Sequence, residues 1–316
     1  MIIIMQSILT LLTILITTAY LTLIERKILA SRQIRKGPNI VGIYGLLQPI
    51  ADAIKLIIKE TIKHHKTTKT LFLLSPALAI IIALTAWSII PLDYKHPQRN
   101  PKLGIIIILA LSSLRIYTIL LSGWARNSKY ALLGSIRATA QMIRYEVCIG
   151  IIILTIVSLS RRLNLRQIRM CQQKIWYILP LFPIFIMFTI RRIAETNRTP
   201  FDLTERESEL VSGFNVEYSA ILFTLLFLAE YINILLMARI IRILFLRGRT
   251  FLSVSNPRIL AIKIIRISYL FICIRATFAR IRYDQLMNLL WKRYLPLRLT
   301  LIILIPILEI RITAYT

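Results

Sequence analysis

Residues 2–24 of this chain run without a charge until Glu25, and that single stretch limits the fold more than any other feature. About 20 apolar residues in a helix match the ~30 Å thickness of a bilayer's hydrocarbon core. Further apolar runs follow at 71–92, 103–122, 145–160, 175–190, 219–238, 259–274 and 295–313, some of them interrupted by Arg. A helix satisfies its own backbone groups where no water can, so repeated runs of this kind dictate helical spans. The expected fold is all-α: a polytopic membrane protein with about eight transmembrane helices in a single domain over residues 1–316. The first run lacks a basic leading segment and a small-residue cleavage site, which reads as a retained span rather than a signal peptide.

Between the first two runs, residues 25–60 are polar enough to lie at the surface. Arg26, Lys27, Arg32, Arg35 and Lys36 suit the negative-potential face of a membrane under the positive-inside rule. With the charge-free N-terminus opposite this basic 25–69 stretch, eight spans would leave both termini on the other face. Gly37-Pro38-Asn39 signals a turn. From Leu46 to Glu60, apolar residues recur at helical period with Gln48, Asp52, Lys55 and Lys59 between them. With Pro49 in its first turn, this segment predicts an amphipathic helix on the membrane surface over about 46–60.

Acids are scarce, and their placement is informative. The chain has 14 acidic residues against 41 basic ones. Glu195, Asp202, Glu205, Glu207, Glu209 and Glu217 all fall within residues 194–218, between two apolar runs. Clustered, partly buried carboxylates oppose each other's ionisation and titrate together, which suits proton uptake and release. Glu146 stands at the start of one run and Glu230 well inside another, and an intramembrane carboxylate is by default a functional candidate. Residues 123–146 read as a polar, small-residue connection in which Arg137 and Glu146, nine apart, face different sides of any helix. In 274–296, basic residues surround Asp284, which fits surface ion pairing or a docking loop for a partner.

Other chemistries find no support. Cys148, Cys171 and Cys273 are far apart and form no zinc, iron–sulfur or disulfide pattern. There is no phosphate-cradling glycine motif, and the adjacent His64 and His65 lack the spacing of a helical metal face. The third histidine, His96, reads as a solvated loop residue. Metal ligands are therefore not expected, and any redox cofactor belongs on another chain. The formal charge of +27 invites a nucleic-acid partner, but Arg115, Arg239, Arg242 and Arg266 interrupt apolar runs instead of forming a basic stripe.

Four segments carry a resemblance: ERK…RKGPN…GLLQPIADAIKL, GWA.NSKYALLGSIRA.AQ.I.YEV, AETNRTPFDL.E.ESELVSGFNVEY and IRYDQLMNLLWK…LP. In order and across essentially the whole chain, they resemble the subunit 1 family of mitochondrial NADH:ubiquinone oxidoreductase (respiratory complex I). The resemblance implies a multi-pass subunit of the mitochondrial inner membrane that forms the entrance and floor of the ubiquinone chamber. It implies that quinone reduction is coupled to proton translocation through a series of acids: Asp52, Glu146, Glu195, Asp202, Glu205, Glu207, Glu217 and Glu230. It assigns Arg26, Arg35, Lys36, Arg137, Arg198 and Arg282 to the chamber and its loops. Ubiquinone is then the substrate and membrane lipids are neighbours. NADH, FMN and the iron–sulfur clusters sit on partner subunits, alongside antiporter-like membrane subunits. No nucleic acid takes part.

Some positions depart from that family. Arg126 and Arg144 stand where it usually has Ser, Arg206 where it usually has Gly, and Arg115, Arg191 and Arg192 where small polar residues are common. Several animal mitochondrial codes read AGA and AGG as Ser or Gly, so a standard-code translation would produce this pattern, and a misread ATA would enrich Ile over the 7 Met. Two other classes fit the composition less well. A secondary transporter calls for an inverted repeat, and none is evident. A purely structural anchor leaves Glu146 and Glu230 without purpose. The related subunit of membrane-bound hydrogenases matches at fold level, but the RKGPN, AETNRTPFD and RYDQLM segments favour the mitochondrial family.

Overall fold

The computed structural model describes residues 2–62, 65, 67–91, 101–172, 175–202, 213–215, 218–246, 250–251, 254–255 and 257–315. In chain order the helices are α1 (Ile2–Arg32), α2 (Gln48–Ile58), α3 (Lys69–Ile89), α4 (Gly104–Trp124), α5 (Lys129–Ser160) and α6 (Leu165–Cys171). They continue with α7 (Phe182–Glu195), α8 (Ala220–Phe245), α9 (Pro257–Thr277), α10 (Tyr283–Asn288) and α11 (Leu295–Tyr315). A π-helical turn, Leu289–Tyr294, joins the last two. Among the described residues, extended structure amounts to a two-residue antiparallel pairing of Thr250–Phe251 with Val254–Ser255.

Each expected apolar run contains a helix, although the 175–190 run is helical only from Phe182, and the chain is an all-α polytopic membrane protein. Among the described residues, five helices (α1, α3, α4, α5 and α8) are long and apolar enough to cross a bilayer. The remaining three runs give α7, which is 14 residues long, and α9 and α11, which carry arginines. At ~1.5 Å per residue α7 covers roughly 21 Å, less than the hydrocarbon thickness. Residues 175–181 precede it as turns. The amphipathic helix forms at Gln48–Ile58 with Pro49 in its first turn. The polar stretch 123–146 is largely helical: Gly123 and Trp124 end α4, and Lys129 onward belongs to the 32-residue α5. Small residues explain this, because Ala131 and Ser135 let that turn of α5 press against Gly123 of α4, while Gly134 lets Gly213 approach from the other side. A Cβ on Gly123 would stand 2.3 Å from the Cβ of Ser135.

α8 is the axis of the bundle. Every residue from Ile232 to Phe245 is buried, and the helix packs against α1, α2, α3, α6, α7 and α9. An apolar sequence without a polar face suits that central place. α4 lies between α3 and α5, and α11 packs on α5.

Loop hydrogen bonds sort the connections onto two ends. At one end the Thr68 amide donates to the Ala125 carbonyl at 3.0 Å, the Ile281 amide to Pro200 at 3.1 Å, and the Ile62 amide to the Ser219 hydroxyl at 3.1 Å. At the other, the Ile105 amide donates to Leu163 at 3.3 Å and the Ile178 amide to Phe245 at 3.3 Å. The helices therefore alternate in direction, and the basic 25–62 stretch, the 196–202 segment and the 278–294 segment share one end.

Candidate functional site

That shared end carries an open cleft of about 780 Å³ where α1 runs out and the chain turns back into α2. Arg26, Arg35, Lys36 and Gln48 line it, with the Gly37-Pro38-Asn39 turn and Ile40. The turn is held from both sides. Gly42 and Gly45 take left-handed backbone, with φ of 76° and 72°, and a Cβ on Gly45 would lie 2.3 Å from the Pro38 carbonyl oxygen. Only glycine meets both demands at position 45. Lys27 Nζ donates to the Tyr44 carbonyl. Arg26 Nη1 binds Asp52 Oδ2 at 2.7 Å, and Gln48 Nε2 donates to Asp52 Oδ1 at 2.8 Å. Asp52 thus belongs to the rim of the cleft, where it fixes an arginine, rather than to the buried acids.

Deeper in the bundle, acids and cations line three small cavities of about 10, 20 and 20 Å³, each with roughly the room of a single water. The first lies between α4 and α5, lined by Ser112, Arg115, Glu146 and Glu195. Ser112 Oγ donates to Glu146 Oε1 at 3.3 Å. The second shares Ser112, Arg115 and Glu195 with the first and reaches Asn233 and Met237 on α8. Glu195 is 7% exposed, its carboxylate bound by Arg192 Nη1 at 2.9 Å and its carbonyl by Arg115 Nη2 at 3.2 Å. The third cavity is lined by Glu25, Thr196, Arg198, Tyr231 and Arg275. There the Tyr231 hydroxyl donates to Glu25 Oε2 at 2.6 Å, and Arg275 pairs with Glu25. Arg198 lies over the Tyr231 ring at 4.6 Å and reaches Glu230 Oε2 at 3.5 Å.

Of the expected acids, Glu146, Glu195 and Glu230 come together along this set of cavities, with Asp202 nearby. Asp202 is 7% exposed and pairs with Arg280 Nη2 at 3.5 Å. Glu205, Glu207 and Glu217 lie outside the described residues, as do Glu209 and Arg206. Among the expected chamber cations, Arg26, Arg35 and Lys36 share the cleft and Arg198 lies in the third cavity. Arg137 is exposed on α5, and Arg282 is exposed at the start of α10. Sequence reasoning missed Glu25, Tyr231 and Arg275. Glu25 ended a charge-free run and passed for an interfacial residue. A buried carboxylate one residue before a basic cluster carries a signal only once its partners from α8 and α9 are known. Among the described residues no group of three or more His, Cys, Asp or Glu could hold a metal ion.

Comparison with known proteins is consistent across the chain. The NADH dehydrogenase family profile matches residues 5–306. The chain is 50% identical over 307 residues to NADH-ubiquinone oxidoreductase chain 1 of Metridium senile, covering 96% of this chain and 92% of that protein. It is 52% identical over 302 residues to NADH-ubiquinone oxidoreductase chain 1 of Balaenoptera physalus, covering 94% of each. With the protein of the same name from Chondrus crispus, identity is 50% over 301 residues, 93% of this chain and 92% of that one.

Proposed function

The chain belongs to the NADH dehydrogenase family, and from that premise we propose that it is the quinone-site membrane subunit of a proton-pumping NADH:ubiquinone oxidoreductase. In this reading it forms the entrance and floor of the ubiquinone chamber and passes the energy of quinone reduction into proton movement. Its relatives carry NADH and ubiquinone in their names. The chain works in the mitochondrial inner membrane beside the other subunits of the complex. Electrons arrive from NADH through FMN and iron–sulfur clusters held on peripheral partners, and antiporter-like membrane subunits adjoin it.

The observation that carries the reading is the set of water-sized cavities lined by Glu25, Glu195 and Glu146, with Glu230 ion-paired to Arg198, which lines the third. Two-electron reduction of a quinone consumes two protons. A quinone taking protons near the Arg26–Asp52 cleft alters the local charge, and carboxylates paired to arginine respond by exchanging partners or protons. Each acid here has a cation or hydroxyl at hand, and each cavity can seat a bridging water. Asp202, Glu205, Glu207 and Glu217 would link the chamber to this inner set.

The test is Glu146→Gln in the assembled complex. NADH:quinone turnover should fall on the order of 100-fold, the lower bound for loss of a proton-transfer group. NADH oxidation by an artificial acceptor at the peripheral arm should stay normal, which reports intact assembly. Normal turnover with an unchanged proton-to-electron ratio would remove Glu146 from the path.

A further inference from the structure

Two groups of arginine in this protein stand in contrast. Arg26, Arg198, Arg275 and Arg280 each hold a carboxylate, on Asp52, Glu230, Glu25 and Asp202. Arg191, Arg242 and Arg298 are at most 1% exposed on packed helix faces, and no ion pair reaches them among the described residues. None of the three nitrogens of the Arg242 guanidinium has a hydrogen-bond partner among the described residues. Among the described residues Arg191 has one long hydrogen bond, Nη1 to the Tyr145 carbonyl at 3.5 Å, and none at Nε or Nη2. Arg298 reaches the Cys148 carbonyl at 3.2 Å, with no hydrogen bond at Nε or Nη2 among the described residues. Like charges compound the problem, since Arg191 lies within Coulombic range of Arg298, and Arg242 of Arg239. A guanidinium does not escape burial by losing its proton. In a membrane interior it calls for an acid, and among the described residues no acid reaches any of the three; Arg191 and Arg298 have one backbone carbonyl each, and Arg298 lies 5.8 Å from the Tyr294 ring centre.

Hydroxyl side chains at equally buried positions of the same bundle have no such need. Thr118, Ser122 and Thr155 donate to the carbonyl three residues earlier in their own helix at 2.7, 2.7 and 2.6 Å. A serine anywhere on these faces satisfies itself, and a glycine has nothing to satisfy. We infer that positions 191, 242 and 298 carry serine or glycine in the working protein, their arginines arising from AGA or AGG codons read by the standard code. The cause rests on the mitochondrial reading above, while the identity of the residues rests on burial, like-charged neighbours and the lack of a carboxylate among the described residues. The inference extends the family departures to positions 242 and 298, which no family motif covers. Arg26, Arg198, Arg275 and Arg280 belong to the other group, and CGN codons are expected there.

The test is peptide sequencing by mass spectrometry on the complex purified from its native membrane, cut with a protease directed at Glu or at aromatic residues. Serine or glycine is expected at 191, 242 and 298, with arginine kept at 26, 198 and 275. In the gene, the first three codons should be AGA or AGG and the last three CGN. Arginine in the peptide at any of 191, 242 or 298 overturns the inference at that position, and arginine at all three overturns it outright. The functional reading fails separately, if peptides of this chain appear in the membrane but not in the NADH-oxidising complex.

Discussion

Tyr231 shows how much a single residue can hold together in this bundle. Its hydroxyl fixes Glu25 while its ring carries Arg198, which in turn reaches Glu230. Removing one hydrogen bond to a charged acceptor costs about 1.5–3 kcal/mol. Tyr231→Phe should therefore loosen Glu25 and raise the quinone KM with peripheral NADH oxidation unchanged, measured as paired activities in assembled complex. An unaltered KM would reduce the bridge to packing. The Arg26–Asp52 pair predicts a contrast. It is half-exposed and worth about 0–1 kcal/mol to stability, so Asp52→Asn should leave thermal unfolding within about 1 kcal/mol of the parent. Any loss it causes should appear in quinone turnover instead, through a misplaced Arg26.

At the scale of elements, the glycines of the 37–45 turn shape the cleft. Gly45→Ala sets a methyl against the Pro38 carbonyl and forces left-handed backbone on alanine, a strain of roughly 1–2 kcal/mol before the clash is counted. The turn should shift, and quinone binding should weaken while helix content by circular dichroism holds. Normal binding would mean that the turn is not part of the route. Much of this architecture was legible beforehand. Apolar run length gave the helices, Pro49 and the Ile50–Ile54–Ile57 spacing gave α2, and carboxylates inside apolar runs gave Glu146 and Glu230. What was not legible depends on packing between distant segments. Small residues at 131–138 looked like a loop because their purpose is close approach to α4. Glu25 looked peripheral because its partners lie 206 and 250 residues away.

Taken whole, the molecule gathers the acids described above toward one end, and its connections alternate between that end and an opposite end that carries Arg161, Arg162, Arg166 and Arg169. Cys171, exposed on α6, belongs to the opposite end, whereas the 25–62 stretch belongs to the acid-bearing one. A membrane-impermeant thiol reagent should therefore label Cys171 from the side opposite the matrix and spare it in inverted vesicles; the reverse pattern would invert the topology. One helix sets a further demand on the surrounding lipid. The 32 residues of α5 extend about 48 Å, against a hydrocarbon core of ~30 Å. The surplus must appear as tilt or as turns standing clear of the acyl chains. Arg137 lies near the emerging end and Glu146 deeper in, so the helix acts as a gauge of the bilayer. Thicker lipid would draw Arg137 toward oil and thinner lipid would bring Glu146 toward water, which makes acyl-chain length a setting of the surroundings these two charges meet.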